Sequence, residues 1–576
     1  MILFKDVCEI FDKIEKTTKR LEKIDYFIDL IKKIEKEGDS EDIRLVCYVS
    51  IGRVFPEYES REIGIGPNLL IEVGKNIGID EKKLLREIKE TGDFGLAIEK
   101  LSMEVKQISL FKNHLTLRDV CNNLIKISNI TGTNSQKRKI RHLSSLFLTA
   151  TPLERRYLTR LILEDMRLGM SVPTILQSLS IYYNVPKEKL ERIYSVVNDI
   201  GLLAKKLMEG VDIDKDEDLK LKIFRPIRPM LAQLIPSIKD AIVEMDEPQF
   251  ETKYDGARVQ IHKKGDEVKI YSRKLEDITN SLPEIVDEIK KLNVDGIIVE
   301  GECVAIDLKS GKPRPFQDIL RRFRRKYDID EMKEKINLRV YLFDILYYHG
   351  PLIDSALKSR RKILEKILNT SNDWITERER IEKEIKSNKI IDISYKAITK
   401  DLSTAMEFYN WSLNIGHEGV MIKNREAPYT PGSRVRTMYK FKPTLDSLDV
   451  VITKAKLGMG KRKDWYGSFE ISVKDEDGNL YPIGHVGSGL SEEELERLTK
   501  IIDEIKIGEE DGETIVEPKI VLEVSYEEIQ ESDKYDCGYA LRFPRVIEIR
   551  EDKSIDDINT LDDVINIFKI QKGRNG

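Results

Sequence analysis

Residues 253 to 258 read Lys253-Tyr254-Asp255-Gly256-Ala257-Arg258 and open the part of the chain in which strands and helices mix. A lysine that attacks phosphorus must be neutral, and neighbouring cations together with partial burial lower the pKa of an amine. Arg258 supplies positive charge nearby, and Gly256 lets the backbone pass close to a ligand. The pattern K-x-D-G is weak by itself, because an ordinary surface lysine before a strand fits it equally well.

Further stretches that each contain charged residues follow Lys253 along the chain. They are Tyr271-Ser272-Arg273, Glu300-Gly301-Glu302, Phe343-Asp344-Ile345-Leu346, Glu418-Gly419-Val420-Met421-Ile422-Lys423 and Tyr439-Lys440-Phe441-Lys442. Strand alternation places Lys440 and Lys442 on the same face. Two converging amines on a rigid strand suit a phosphate better than a hydrophobic core. The ordered set therefore favours a phosphate-binding site around Lys253.

The pattern around this site predicts an α+β domain. Val259 and Ile261 alternate with polar residues, a turn follows at 263–266, and alternation then resumes, which predicts a hairpin. Segments 281–292 and 355–369 have helical spacing. The proline-rich stretch 224–230 breaks helices and marks the entry into this domain.

The flanking regions differ from it in opposite ways. Residues 1 to about 215 have helical periodicity and little strand signal, with a capping box at Thr151–Glu154. After Pro443 come strands such as 448–455, 466–473 and 516–526, and a capping box at Ser491 opens one helix. Five or so strands and one helix predict a small barrel of the OB type. We predict an all-α domain over 1–215, an α+β domain over 216–443 and a β-barrel OB fold over 444–576.

Composition limits the class of protein. A chain of 576 residues exceeds one hydrophobic core, and a formal net charge of −5 neither supports nor excludes nucleic-acid binding. The five cysteines form no C-x-x-C pair, which argues against a disulfide framework and a cysteine-rich zinc site. Without an apolar stretch of membrane length or a cleavable leader, we expect a cytoplasmic protein with no membrane contact.

The stretches from 253 to 442 resemble, in order and spacing, the nucleotidyltransferase motifs of covalent DNA ligases and mRNA capping enzymes. Arg550-Glu551-Asp552-Lys553 is similar to the R-x-D-K motif of DNA ligases. Stretches 52–56, 92–95 and 156–169 resemble the helical DNA-binding domain of archaeal and eukaryotic replicative ligases, which capping enzymes lack. The whole chain thus resembles the ATP-dependent DNA ligases. The resemblance implies sealing of nicks between 5′-phosphate and 3′-hydroxyl through a lysyl-AMP intermediate, in replication, repair and recombination.

The resemblance also implies residue roles. Lys253 carries AMP, Phe343 stacks on adenine, Glu251 lies near the base and Glu302 contacts the ribose. The ATP phosphates are surrounded by Arg258, Arg273, Lys423, Arg434, Lys440 and Lys442. Because family members often have Trp where Met438 and Tyr439 stand, Arg436 is an alternative to Arg434. The last motif, Arg550, Asp552 and Lys553, closes over ATP, and Mg²⁺ lies beside Glu302 and Glu418.

Several partners and rivals stay open at this point. The resemblance implies a monomer that binds nicked duplex DNA. Gln107, Leu110 and Phe111 fit either a sliding-clamp motif or a packed helix end, and the basic run 321–326 fits either a DNA contact or a solvated helix face. The rivals are an RNA ligase or capping guanylyltransferase, and a non-catalytic DNA-binding protein with a degenerate pocket. An NAD-dependent ligase is disfavoured because no four-cysteine module follows the barrel.

Overall fold

A computed structural model describes residues 1–59, 61–104, 114–314, 316–323, 335–442, 447–458, 465–510 and 512–574. These divide into two compact units, Met1–Leu221 and Lys222–Gly576. All five cysteines have free thiols. Within the described ranges, no helix combines the length and the apolar character that a membrane crossing requires.

The first unit is helical, as predicted. Its helices are α1 Phe4–Glu15, α2 Arg20–Glu37, α3 Ser40–Ser50, α4 Pro67–Asn76, α5 Glu81–Thr91, α6 Phe94–Ser102, α7 Leu117–Ser128, α8 Ser135–Thr149, α9 Pro152–Ile162, α10 Val172–Tyr183, α11 Lys187–Val197 and α12 Ile200–Met208. The predicted capping box opens α9, since Thr151 and Glu154 hydrogen-bond each other's backbone N–H groups. One apolar core, which includes Phe11, Phe27 and Phe147, joins these helices.

Two of the stretches of this unit that resemble the family's DNA-binding domain, 92–95 and 156–169, lie at the contact between α6 and α9. A Cβ on Gly95 would lie 2.7 Å from the carbonyl oxygen of Arg156, so only glycine lets the two helices approach. Asp93 caps α6 through the N–H of Leu96 and pairs with Arg160. These residues therefore have a packing role.

The first part of the second unit mixes strands and helices, as predicted. The strands are β1 Leu231–Leu234, β2 Gln249–Lys253, β3 Ala257–Lys264, β4 Glu267–Ser272, β5 Gly296–Ile306, β6 Asn337–Tyr348, β7 Ile391–Ile393, β8 Lys396–Ile398, β9 Gly419–Lys423 and β10 Arg434–Phe441. The helices are α13 Ile238–Met245, α14 Pro283–Lys290, α15 Phe316–Phe323, α16 Leu357–Leu368, α17 Trp374–Glu384 and α18 Leu402–Asn414. The strands form two five-stranded sheets, ordered β4-β3-β5-β6-β7 and β1-β10-β9-β2-β8.

The second part is rich in strands. It contains β11 Ser447–Leu457, β12 Tyr466–Lys474, β13 Leu480–Val486, β14 Lys506–Glu510, β15 Glu513–Val516, β16 Val521–Ser525, β17 Glu528–Glu531, β18 Tyr539–Arg542 and β19 Arg545–Ile549, with helices α19 Glu492–Ile505 and α20 Leu561–Arg574. The main sheet runs β13-β12-β11-β15-β14, and β16 pairs with β11 and β19. Its outer strands do not pair with each other in the described residues, so the closed OB barrel stays a prediction.

The sequence pattern underestimated the number of elements here. The predicted strand 516–526 is two strands, because Pro518 has no N–H for a ladder and separates β15 from β16. The short hairpin β17–β18 and the last helix, α20, were not predicted.

Candidate active site

A cleft of about 340 Å³ lies in the second unit. Both five-stranded sheets contribute to its walls, as do β11, β16 and the segment after β19. All the predicted site residues line it: Glu251, Lys253, Arg258, Arg273, Glu302, Phe343, Glu418, Lys423, Arg434, Lys440, Lys442, Arg550, Asp552 and Lys553. The cleft thus joins residues 300 positions apart in one concave surface.

Lys253 is the last residue of β2, so a rigid strand holds its backbone. Its amine forms an ion pair with Glu418, which stands just before β9 and whose N–H donates to the Lys253 carbonyl at 3.0 Å. Burial, followed by the charges of Lys442 and Lys440, lowers the pKa of Lys253 to about 7. Near neutral pH a large fraction of this amine is therefore unprotonated and able to act as a nucleophile.

Gly256 explains the tight turn after Lys253. A Cβ at this position would lie 2.6 Å from the carbonyl oxygen of Cys303 and 2.8 Å from Cγ of Glu302. Glycine therefore lets the chain leave β2 and run directly against β5, where Arg258 lies opposite Glu302. Burial raises the pKa of Glu302 to about 7, although Lys253, Arg258 and Arg273 oppose the shift.

Glu251 and Lys423 form a buried pair at the base of the cleft. Lys423 donates from Nζ to Glu251 Oε2 at 2.8 Å, and Ser394 donates to the same carboxylate at 3.0 Å. The Lys423 amine also lies 4.8 Å from the centroid of the Phe343 ring, and the Arg258 guanidinium lies 5.3 Å from it. A half-buried aromatic ring flanked by two cations is suited to stack against a planar base.

Arg258 has three hydrogen-bond partners that the sequence did not predict. Its guanidinium donates to Glu300 at 2.7 Å, to the carbonyl of Met230 at 2.8 Å and to the hydroxyl of Tyr429 at 3.2 Å. Tyr429 in turn donates to Glu300 at 2.8 Å. Sequence reasoning missed Tyr429, because it lies in a loop that has no catalytic pattern of its own.

The lysines of β10 add positive charge on one side of the cleft. Burial lowers the pKa of Lys440 to about 8, and Arg434 and Lys442 add to this effect while Asp563 opposes it. Arg434 lines the cleft and contacts Asp563 at 3.3 Å, whereas Arg436 is exposed and does not line it. The position of Arg434 favours it over Arg436.

The segment after β19 reaches the cleft through a network of ion pairs. Arg550 binds Asp552 through two hydrogen bonds of 2.9 Å, and Lys553 donates to Asp449 at 2.5 Å. Burial would raise the pKa of Asp449, but Lys553 and Arg550 hold it well below its usual value. Asp449 stands on β11 and was not predicted, because a single strand aspartate gives no recognisable signal.

Arg273 has a partner that the sequence did not predict. Its guanidinium donates to Asp557 Oδ1 at 2.9 and 2.8 Å. Lys274 next to it donates to the carbonyl of Glu551 at 2.8 Å. The end of β4 is therefore joined directly to the segment that carries Arg550 and Lys553.

Other sequence interpretations fare differently. In the basic run 321–326, Arg322 is buried and bound to Glu284 at 2.5 Å, so it fits neither a DNA contact nor a solvated helix face. Arg321 is exposed, and 324–326 lie outside the described residues. Gln107, Leu110 and Phe111 also lie outside the described residues.

His417 is buried and accepts a hydrogen bond from the Asp255 N–H at 3.4 Å. Burial, followed by the charge of Lys253, lowers the pKa of His417 to about 3.

Comparisons with known proteins cover nearly the whole chain. Family models described as DNA ligase N terminus, ATP dependent DNA ligase domain and ATP dependent DNA ligase C terminal region match residues 3–180, 229–442 and 462–553. A solved structure, mycobacterial DNA ligase D complexed with ATP and MES, is 23% identical, with a TM-score of 0.35 over 58% of this chain and 98% of that chain.

Two curated relatives match from end to end. A DNA ligase of Methanocaldococcus jannaschii is 67% identical, and one of Methanococcus maripaludis strain C5 is 65% identical. Each alignment covers 100% of this chain and 100% of the relative. With a lysine-centred cleft in the second unit and family matches on both sides of it, this chain belongs to the ATP-dependent DNA ligase family.

Proposed function

We propose that this DNA ligase carries AMP on Lys253 while it seals nicks in duplex DNA during replication, repair and recombination. The observation that supports this most strongly is the partly buried amine of Lys253, which pairs with Glu418 but has Lys440 and Lys442 nearby and a pKa of about 7. An amine that is neutral at physiological pH, at the end of a rigid strand, is what attack on a phosphorus atom requires.

The reaction divides into three displacements at phosphorus. The lone pair of the Lys253 amine forms a bond to the α-phosphorus of ATP, the bond to the bridging oxygen breaks, pyrophosphate leaves, and the nitrogen loses a proton to solvent. A 5′-phosphate oxygen of the nick then attacks the AMP phosphorus, and the Lys253 nitrogen takes up a proton and departs as the amine. Finally the 3′-hydroxyl attacks the DNA phosphate, loses its proton and expels AMP. Covalent catalysis thus separates one difficult displacement into easier ones.

The residues around Lys253 each have a proposed role. Phe343 stacks on adenine, Glu251 lies near the adenine base and Glu302 contacts the ribose. The charge that develops on the phosphates is stabilised by a group of cations: Arg258, Arg273, Lys423, Arg434, Lys440 and Lys442. Arg550, Asp552 and Lys553 cover the departing pyrophosphate. Preorganised cations of this kind stabilise the transition state more than the ground state.

Glu302 and Glu418 are the proposed neighbours of Mg²⁺. Both carboxylates line the cleft, and hard oxygen ligands of this kind suit that ion. Bound there, Mg²⁺ would neutralise phosphate charge and make pyrophosphate a better leaving group. Glu418 must exchange its ion pair with Lys253 for this role, which would also release the amine for attack.

The proposed partners are nicked duplex DNA, bound by a monomer, and a sliding clamp. The proposed domain boundaries lie near residues 215 and 443, with DNA binding proposed for the helical domain and chemistry for the second unit. Clamp binding rests on the sequence of Gln107, Leu110 and Phe111. Changing Leu110 and Phe111 to Ala should remove stimulation by the clamp without lowering the melting temperature, since anchor side chains dominate such contacts. A lower melting temperature with intact clamp binding would instead indicate a packed helix end.

The assignment of Lys253 is tested with α-labelled nucleotide and a denaturing gel. Wild-type protein with ATP and Mg²⁺ should become labelled, and Lys253→Ala should lose at least about 10⁴-fold in labelling, because no other nucleophile replaces the amine. Lys264→Ala, an exposed lysine at the end of β3, is the matched control and should label normally.

Three further arms separate the rivals. Chelation of Mg²⁺ should abolish labelling of the wild type. Preferential labelling by GTP would favour a capping enzyme, and an unlabelled wild-type protein would favour a non-catalytic DNA-binding protein. A labelled Lys253→Ala protein would show that another residue carries AMP.

A further inference from the structure

Three metal-ligating side chains converge on the strand-rich part of the second unit, outside the cleft. They are Glu470 on β12, His485 on β13 and Glu513 at the start of β15. Each offers one ligand atom, and these atoms all lie within 4.8 Å of one another. None of the three lines the cleft, so the proposed ligase chemistry does not use them.

Strand register brings them together. Glu470 lies directly opposite His485 in the β12–β13 ladder. Its neighbours Phe469 and Ile471 are buried in the core, so alternation directs Glu470 to the other face of the sheet. Glu513 precedes Thr514, which pairs with Ala455 on the central strand β11. Ligands on three different strands of one sheet form a more rigid arrangement than ligands within a single loop.

The imidazole of His485 is oriented for a ligand. Its Nδ1 lies 3.1 Å from the hydroxyl of Tyr535, which leaves Nε2 to face the carboxylates. Metal-bound histidines usually have their second ring nitrogen fixed by such an outer hydrogen bond. Nε2 lies 3.7 Å from Oε1 of Glu513. In a tetrahedral zinc site with bonds of about 2.0–2.1 Å, ligand atoms are about 3.3 Å apart, so small side-chain movements would complete the shell.

The local charge suits a divalent cation. Glu470, Glu510 and Glu513 all lie close enough to Lys454 to act on its amine electrostatically, and Lys454 donates to Glu510 at 2.7 Å. Three carboxylates and one ammonium, with a neutral imidazole, give a formal charge of −2. Glu470 accepts a hydrogen bond from the hydroxyl of Thr453 at 2.9 Å through Oε1. Its other carboxylate oxygen can therefore serve as a ligand.

We propose that Glu470, His485 and Glu513 bind one divalent transition-metal ion of the zinc class. One imidazole and two carboxylates are ligands that such ions accept, and three protein ligands leave a coordination position for water. The side chains of His485 and Glu513 are 29% and 21% exposed, so an ion can enter from solvent. A bound ion would cross-link β12, β13 and β15 and stabilise this part of the fold.

The test uses full-length protein that has been stripped with EDTA and dialysed into buffer without nucleotide or Mg²⁺. Wild-type protein is titrated with Zn²⁺ by calorimetry and with Co²⁺, whose visible absorption reports coordination geometry. Carboxylates elsewhere, including those of the cleft, also bind cations, so the comparison with His485→Ala defines the site. We expect wild-type protein to bind one more equivalent than His485→Ala, and its melting temperature to rise with metal.

Two further variants keep the test decisive. Glu513→Gln is nearly isosteric and should lose the same equivalent even if His485→Ala folds poorly. His142→Ala removes an exposed helical histidine of the first unit and should bind as wild type does. Equal stoichiometry and equal Co²⁺ spectra for wild type, His485→Ala and Glu513→Gln would overturn the proposal.

Discussion

Two regions of this molecule hold cations that are partly or fully buried, and the surroundings of these cations differ. Between α6 and α9 of the first unit, Arg160 donates to Glu15 at 2.7 and 2.9 Å and also binds Asp93. Burial opposes its charge, but these carboxylates raise the pKa of Arg160 well above its usual value. In the cleft of the second unit, Lys253 has Lys442 and Lys440 as neighbours, and its pKa falls.

The comparison separates a structural use of charge from a chemical one. Where carboxylates surround a guanidinium, the charge is satisfied and holds helices together. Where amines lie beside an amine, charge is left for a phosphate to neutralise and a proton is easily lost. Arg156, which binds Asp12, Glu15 and Glu99, belongs to the structural class.

The largest expected effect comes from breaking the structural pair. Arg160→Met should lower the free energy of unfolding by about 3–5 kcal/mol, because it removes the close ion-pair partner of the buried Asp93 carboxylate and two hydrogen bonds to Glu15. Urea denaturation followed by circular dichroism measures this. Self-adenylylation per folded molecule should not change, since the ATP cleft lies wholly in the second unit.

Arg141→Met is the matched control, because Arg141 is an exposed arginine on α8. It should change stability by less than about 0.5 kcal/mol. If Arg160→Met is as stable as this control and fails in DNA binding instead, Arg160 is a DNA contact. The structural role assigned to it in the comparison would then be wrong.

The next largest effect concerns the segment after β19. Lys553→Ala should slow lysyl-AMP formation by about 100-fold, since Lys553 reaches the cleft and would contact pyrophosphate there. Sealing of a nick that already carries AMP should stay within about threefold of wild type, because pyrophosphate is then gone. Single-turnover assays of both steps measure the difference.

Lys519→Ala, an exposed lysine next to β16, should leave both steps unchanged. Normal lysyl-AMP formation by Lys553→Ala would rule out its role over ATP. Equal losses in both steps would indicate that removing its bond to Asp449 disturbs the fold.

Much of the fold and of the candidate site could be predicted from the sequence, because local residue patterns determine these features. Helical periodicity, the capping box at Thr151 and the hairpin after Lys253 follow from residue spacing, and the structure contains all three. The predicted residues from Glu251 to Lys553 line one cleft, and most of them lie on or directly beside strands. Their individual roles remain predictions.

The rest depends on contacts between distant parts of the chain. Asp449 and Asp557 bind Lys553 and Arg273 across the fold, and neither lies in a recognisable pattern. The burial of Arg322 beside Glu284 could not be inferred from the sequence, because a run of basic residues normally indicates a solvent-exposed segment. The strand break at Pro518 differs from these, because a proline without an N–H indicates it from the sequence alone.

The smallest expected effect, a shift in the pH midpoint of lysyl-AMP formation, tests the central claim of this account most directly. That claim is that neighbouring lysines help to keep the Lys253 amine neutral. The rate of lysyl-AMP formation, measured against pH at saturating ATP, should rise with a midpoint near pH 7 and level off about one unit above that midpoint, because only the deprotonated amine attacks. Removing a positive neighbour stabilises the protonated amine, so Lys440→Gln should move the midpoint to higher pH by about 0.5–1 unit.

The midpoint is the readout, because a loss of ATP contacts lowers the plateau without moving the midpoint. Lys264→Gln should keep the wild-type midpoint. A Lys440→Gln midpoint above that of both proteins is the predicted result. An identical midpoint in all three, or one that falls in Lys440→Gln, would contradict the account.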